Sequence, residues 1–371
     1  MISDRLLTLV RCPDGHGPLE RREGALVCCA CGRRFARTGG YLDLRPSDEF
    51  AEHTKYLDEA LHLDRRHETV SPPLLAAAVR HDMLREMLAP RPGDRVVDLG
   101  CGSGRVLLWN RDRGAYQVGI DVSPFFADEA CTSVDLVLGD LRRLPFGDAA
   151  FNKAYALDVL EHLSRQSLTE VLRETARVLE PGGHFFVYSH VRKNSRLAYG
   201  LRLTNRLAAR LERLGLLDLR QERLRKSDHV NPLADVPDLE HVVAESGFRI
   251  GRIRYYTPII GGVVENILVR FAERAMSWRA ARRKAAPEGA GGRPERADAE
   301  FARSVRSEAK ERIARRGPAY AGLVVLTWLM KLDVMLLGRV RSGPFFALLE
   351  KLEPASHTSR AHDGQASAGS A

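Results

Sequence analysis

The 371-residue sequence predicts an α/β fold built on a mostly parallel sheet. Three observations carry that prediction. The run Val96-Val97-Asp98-Leu99 enters a turn, Gly100-Cys101-Gly102-Ser103-Gly104, with glycine at every second position, and a helix pattern over 105–109 follows at once. Glycine is needed where the chain takes positive φ or a ligand approaches the backbone closely. A strand, a glycine turn and a helix start therefore mark a ligand site at the carboxyl end of a parallel strand. The next strand pattern, 116–120, runs into Asp121, 17 residues beyond Gly104. Nucleotide-binding sheets place an acid for ribose hydroxyls at about that interval. A third strand pattern, 134–138, runs into Gly139-Asp140. The glycine spacing is GxGxG, and no Lys-Ser/Thr follows to handle phosphate or magnesium, which sets the loop apart from dinucleotide and P-loop motifs.

The alternation continues through Leu144-Pro145-Phe146, Phe151-Asn152 and the segment 156–163. A helix pattern over 168–179, the turn Glu180-Pro181-Gly182-Gly183 and a strand over 184–189 follow. Segments 249–256 and 265–271 read as the last strands. In order and at matching intervals, VVDLGCGSG, GIDVS, GDLRRLPF, DVLEHL and RVLEPGG resemble the class I S-adenosylmethionine-dependent methyltransferases of the type-eleven, UbiE-like group. The resemblance spans residues 90–270 and implies a Rossmann-like domain with a mostly parallel, seven-stranded sheet. It also implies S-adenosyl-L-methionine as cofactor and roles for individual residues. Asp98, Leu99, Gly100, Cys101, Gly102 and Gly104 form the cofactor loop; Asp121 and Val122 meet the ribose. Asp140 and Leu141 face the adenine, and Leu157 and Asp158 line the methionine side. Asn152 departs from the aspartate usual in the group. The cofactor is a sulfonium without phosphates, so it suits carboxylates and close backbone rather than a basic cradle.

Methylating an oxygen requires removal of its proton, a task histidine performs near neutral pH. The candidate catalytic residues are His162, beyond the fourth strand, His190, ending the fifth, and His229 in Ser-Asp-His-Val-Asn. Glu161 reads as a local hydrogen-bonding residue and Cys101 as part of the loop.

Four of the six cysteines, Cys12, Cys28, Cys29 and Cys31, fall near the N-terminus. A Cys-Pro turn facing a Cys-x-x-Cys turn is the pattern of a zinc ribbon. The segment resembles the ribbon of Trm-type methyltransferase activators and that of bacterial 23S rRNA guanine methyltransferases. It departs from them at Gly15, where a second cysteine belongs. His16 in its place gives the metal set Cys12, His16, Cys28 and Cys31, with Asp14 and Cys29 as other fourth ligands and a metal-free ribbon as the alternative.

The expected organisation is a zinc-ribbon-like module (1–46), helices covering the cofactor pocket (47–89) and a methyltransferase domain (90–271) with a basic amphipathic lid insert (191–231). A basic linker (272–317, helical over 297–315), an apolar helical extension (318–352) and a disordered tail (353–371) follow. The net charge of +9 is local: residues 192–226 hold 11 Lys/Arg against 3 Asp/Glu, and residues 270–316 hold 14 against 7. Such blocks point to an anionic partner, membrane or RNA. Helical spacing puts Leu197, Leu201, Leu207, Leu211 and Leu214 on one face and Arg202, Arg206, Arg210 and Arg213 on the other. That pattern predicts a lid docked by its leucines, with a membrane-surface helix as the alternative. The uncharged run 320–330 is interrupted by Lys331 and Asp333, too short and charged to span a bilayer. It reads as a docked helix or a surface anchor.

The acceptor expected is a small or lipid-linked molecule. RNA, and a non-catalytic binding module that keeps the fold, are the alternatives. Six cysteines, read as metal ligands or free thiols, and no apolar run after Met1 give a cytoplasmic location as the expectation, with the inner face of the membrane as a peripheral alternative.

Overall fold

The computed structural model describes residues 3–15, 17–47, 70–192, 199–217, 229–256, 259–272, 274–275, 317–341 and 343–353. His16, the first of the two expected pocket helices, the 297–315 helix and the C-terminal tail lie outside these residues.

The N-terminal module holds helix α1 (Asp4–Leu9), strands β1 (Leu19–Arg22), β2 (Ala25–Cys28) and β3 (Arg34–Phe35), then β4 (Arg37–Thr38) and β5 (Tyr41–Asp43). Ser3 caps α1, its hydroxyl accepting from the Leu6 N–H at 3.0 Å. Helix α2 (Ala76–Met87) leads to β6 (Arg95–Leu99), α3 (Arg105–Trp109), β7 (Tyr116–Asp121), α4 (Asp128–Ser133) and β8 (Asp135–Leu138). Next come β9 (Phe151–Leu157), α5 (Arg165–Val178), β10 (Leu179–His190), α6 (Tyr199–Arg213), α7 (Val236–Glu245) and β11 (Phe248–Tyr255). Helix α8 (Ile260–Val263) runs into a π-turn (Val264–Leu268), and α9 (Pro318–Leu337) precedes β12 (Pro344–Lys351).

The large sheet has the order β11-β12-β10-β9-β6-β7-β8-β5-β4. Pairings from β10 through β5 are parallel, while β12 runs antiparallel to both neighbours. Seven strands, β6 to β12, form the main sheet. The N-terminal module adds the other two, so it is fused to the domain rather than tethered. Leu42 pairs with Val137, and the Leu44 N–H donates to the Leu138 carbonyl at 2.8 Å. Leu6, Leu9, Leu26, Phe35 and Leu42 share a core with Val97, Leu99 and Phe146.

Strand periodicity divides the core into two layers. Phe185 and Val187 of β10 and Phe345, Ala347 and Leu349 of β12 face one layer; Phe186, Tyr188 and Phe346 face the other. This placement corrects two expectations. Residues 344–351 are an interior strand, not the end of a helical extension, so the α/β domain does not stop at 271. Residues 265–271 are helical, not a strand, because β12 takes the place beside β10. PFFALLEK is a near-continuous apolar run, which suits a strand buried on both faces.

Helix α9 closes against α2 and α8. Thr327 accepts from the Leu75 N–H at 2.8 Å, and the buried Asp333 accepts from the N–H groups of Ile259 and Gly261 at 3.2 Å each, capping α8. The charge interrupting the apolar run is therefore a helix cap. Among the described side chains of α6 the buried ones are the small Thr204 and Ala208, and a Cβ on Gly262 would come within 2.9 Å of Thr204 Oγ1. Of the leucines expected on one face, Leu207 and Leu214 are exposed and Leu211 is half-buried, while Leu197 and the side chain of Leu201 lie outside the described residues. The small Thr204 lets α6 and α8 approach closely.

Phe346→Ala should cost about 3–5 kcal/mol, measured by denaturant unfolding. The buried Phe346 ring sits 5.0 Å from Tyr188 and 5.6 Å from Tyr256. A loss under about 1 kcal/mol would contradict the central place of β12.

Candidate active site

Three loops at the carboxyl edge of the sheet build the site. In the loop after β6, Gly100 takes φ +77°, and a Cβ there would lie 2.5 Å from Val159 Cγ2. Gly102 takes φ +55°, and a Cβ there would meet nothing within 4 Å, so this glycine floors open space. The Gly100 and Cys101 N–H groups donate to the Ile120 carbonyl at 2.9 and 3.1 Å. The Gly102 N–H donates to Asp121 Oδ2 at 2.8 Å, and the Ser123 N–H and hydroxyl donate to Oδ1 at 2.9 and 2.8 Å. Asp121 is thereby locked against the loop. Burial raises its carboxyl pKa, and these donors offset part of the rise.

Asp98 lies beneath, 2% exposed, in register with Tyr155 of β9. Its Oδ2 is buried without a hydrogen bond. Burial pushes its carboxyl well above the ordinary aspartate range; the Tyr155 hydroxyl beside it opposes the shift, and the Asp121 charge adds to it. An orphaned carboxylate oxygen, a second carboxylate close by and an open glycine floor fit a cationic ligand without phosphate. S-adenosylmethionine, with its sulfonium and ammonium groups, has that chemistry. Burial likewise drives the Cys101 thiol up, which keeps it a packing group.

Leu99 is buried, while Val122, Leu141 and Leu157 are half-buried at the same edge. Asp140 spends both oxygens on Arg142, whose N–H donates at 2.9 Å and whose Nη2 donates at 2.8 Å. Arg142 went unnoticed in the sequence, although it sits two residues on. Asp158 takes φ +58° and pairs with Arg80 Nη1 of α2 at 2.6 Å. Arg80 also lies 5.1 Å from the Tyr188 ring. Its signal was a single arginine within Ala76-Ala77-Ala78-Val79-Arg80. Tyr256 donates to Glu265 Oε1 at 3.3 Å, and burial raises the Glu265 carboxyl despite nearby Arg80. Glu265 lies on the π-turn, a local distortion common at functional sites.

The three candidate histidines come together around Glu161. The His162 and His229 rings meet edge-on at 4.6 Å, and His190 lies 6.1 Å from His229. Ser189 donates to Glu161 Oε2 at 2.8 Å, and His190 Nδ1 stands 3.4 Å from Oε1. Burial works against the Glu161 carboxylate, but His190 and Ser189 outweigh it and hold its pKa below the usual glutamate value.

In the N-terminal module the Sγ atoms of Cys12, Cys28 and Cys31 lie within 4.8 Å of one another. The Ala30 and Cys31 N–H groups donate to Cys28 Sγ at 3.3 and 3.4 Å. Burial raises the Cys28 thiol, yet these donors outweigh it and lower its pKa; burial pushes Cys12 up to about 11. Donors aimed at a sulfur favour the thiolate that zinc requires. Asp14 is turned instead to Arg33 and the Ser47 N–H, and Cys29 is outside the cluster. A Cβ on Gly15 would lie 3.8 Å from Cys31 Sγ, so a side chain there would reach the cluster.

Comparison with known proteins follows the same division. Residues 97–187 match the methyltransferase domain family, and residues 3–36 match the Trm112p-like protein family. A sterol 4-C-methyltransferase of Caenorhabditis elegans is 32% identical over 123 residues, 31% of this chain and 36% of that protein. An uncharacterized methyltransferase of Synechocystis is 34% identical over 108 residues, 28% of this chain and 51% of that protein. A probable tRNA methyltransferase 9B of Bos taurus is 31% identical over 100 residues, 26% of this chain and 22% of that protein. The chain thus spans at most about half the length of these relatives. Among solved structures, phosphoethanolamine N-methyltransferase 2 of Haemonchus contortus aligns with a TM-score of 0.42 at 15% identity, over 76% of this chain and 54% of that one.

Two outcomes follow. Because Asp98 is raised in the folded chain, folding retains a proton that the unfolded chain releases, and stability falls as pH rises above the ordinary aspartate range. Ligand-free Asp98→Asn should melt a few degrees above the wild type near pH 8, with the gap narrowing toward about pH 5. Its cofactor affinity, read by calorimetry, should drop about tenfold or more. Gly15→Cys should raise zinc affinity about tenfold or more in a chelator competition.

Proposed function

We propose that this chain, which carries a class I methyltransferase domain behind a Trm112p-like segment, methylates an O, N or C atom of a lipid-linked acceptor at an anionic membrane surface. The bound cofactor supplies a methyl group activated on sulfonium sulfur. Gly100, Gly102 and Gly104 give it close backbone, and Asp121 receives its ribose hydroxyls while Asp98 balances its charge. Leu99, Cys101 and Val122 wall the loop. Asp140 and Leu141 take the adenine end, with Arg142 holding Asp140 in place. Leu157 and Asp158 border the methionine side, and Arg80 closes over Asp158. Aligning acceptor and methyl group in this dry edge supplies much of the rate.

One observation carries the choice of acceptor. Helices α6, α8 and α9 adjoin one another as a roof on the domain. That roof exposes Leu203, Leu207, Leu268, Phe271, Val325, Trp328, Met335 and Leu336. Arg206, Arg210 and Arg213 lie exposed on the same roof. Exposed apolar side chains and exposed arginines on neighbouring helices suit lipid acyl chains and headgroups. Tyr320–Leu337 has the length and composition to cross a membrane. Its Thr327 and Asp333 are nevertheless buried and hydrogen-bonded to the domain, which favours a helix lying on the surface. The inner face of the cytoplasmic membrane, rich in anionic lipid, is the surface expected.

Co-sedimentation with phosphatidylglycerol vesicles tests this reading. The full chain should partition at least about tenfold more strongly than onto phosphatidylcholine, and Trp328→Ser with Leu203→Ser should remove most of that binding at unchanged cofactor affinity. Steeply salt-dependent binding to RNA in place of vesicles would overturn the lipid acceptor in favour of RNA.

A further inference from the structure

We propose that Glu161, His162 and His229 form a site for a divalent first-row metal ion beside the methyl-transfer pocket. Glu161 and His162 sit on the tight turn after β9 (Leu160–His162), while His229 arrives from a separate segment. That segment is anchored at the site: the Asn231 N–H donates to the Glu161 carbonyl at 2.9 Å. One ligand atom from each of the three side chains lies within 4.8 Å of the other two. An ion with bonds of about 2.1 Å spaces its ligand atoms about 3.4 Å apart. Side-chain rotations of about an ångström therefore close the set.

The Glu161 carboxylate points to the ion. It is 1% exposed, and its Oε1 is buried without a hydrogen bond. Its neighbour there, His190 Nδ1, stays at 3.4 Å. The long His190 contact leaves Oε1 room for a closer ligand, and His162 and His229 stand beside it. Two imidazoles and one carboxylate are the donor set of catalytic zinc and non-haem iron centres, which leave positions open for substrate. Ser189, donating to Glu161 Oε2 at 2.8 Å, and His190 then act as the outer partners that orient the ligating carboxylate.

Asp158, three residues before Glu161, stands within electrostatic reach of Glu161, His162 and His190. The site thus lies where the acceptor must approach the cofactor. Its use rests on the transfer reading above: an acceptor oxygen bound at an open position would become more acidic and be held in line. The site itself stands without that reading.

Manganese is the probe, because the thiol cluster of the N-terminal module binds this hard ion poorly. Titration of the full chain with MnCl₂, followed by the loss of free-ion paramagnetic resonance, should show a single equivalent bound at about 10–100 μM. His229→Ala and Glu161→Gln should each weaken binding about tenfold or more, while affinity for S-adenosylmethionine, measured on the same samples, stays the same. No uptake by the wild type at about 1 mM manganese overturns the site, as does uptake unchanged in both variants. Cofactor binding that survives such a result leaves the transfer reading standing, so the two failures are distinguishable.

Discussion

Two carboxylates held out of water beneath one glycine loop set the terms for the rest of the structure. Asp98 and Asp121 sit at the ends of adjacent parallel strands, so the sheet itself fixes their proximity. Each is raised by burial, and Asp121 adds to the shift at Asp98. In the ligand-free chain this arrangement works against folding. A cation above Gly102 would favour the ionised carboxylates, so part of the stability lost to their burial would be recovered on binding. A preorganised charge of this kind strengthens in a dry site and needs no rearrangement when the ligand arrives.

The support of that edge depends on chain distant in sequence. Strand β12 inserts between β10 and β11 after an excursion that carries α9, and α9 in turn is bonded to α2 and α8. Helices α9 and α8 and the sheet are therefore joined as one unit. The opposite edge is closed by the N-terminal module, whose β5 extends the sheet beside β8. A strand edge left open there would invite pairing with other chains; here β5 and β4, just beyond the Trm112p-like match, cover it within the same polypeptide.

The parts legible in the sequence were those whose chemistry is local. VVDLGCGSG announced a strand and loop because glycine spacing and an apolar run are read within nine residues. Asp121 and Asp140 followed from strand ends. The ribbon was legible from its cysteines, and three of them do converge. What escaped depended on partners far along the chain. PFFALLEK carries an apolar run that fits helix or strand equally, and only its place between two strands decides. Leucine spacing on α6 suggested a docked face, whereas the buried side chains described on it are the small Thr204 and Ala208, with Thr204 against Gly262. Arg80 gave no motif of its own and meets Asp158 across 78 positions, and Glu161, read within DVLEHL as a local hydrogen-bonding residue, meets His190 and His229 through the fold. His162, His190 and His229 were each legible singly, and their convergence was not.

The central claim is that the carboxylate-lined glycine loop holds S-adenosylmethionine through its charge and ribose. Calorimetric titration of the full chain with that cofactor, set beside Asp121→Ala, tests it most directly. The account predicts micromolar binding by the wild type and its loss in the variant. Absence of binding by the wild type, or equal binding by both, would contradict it.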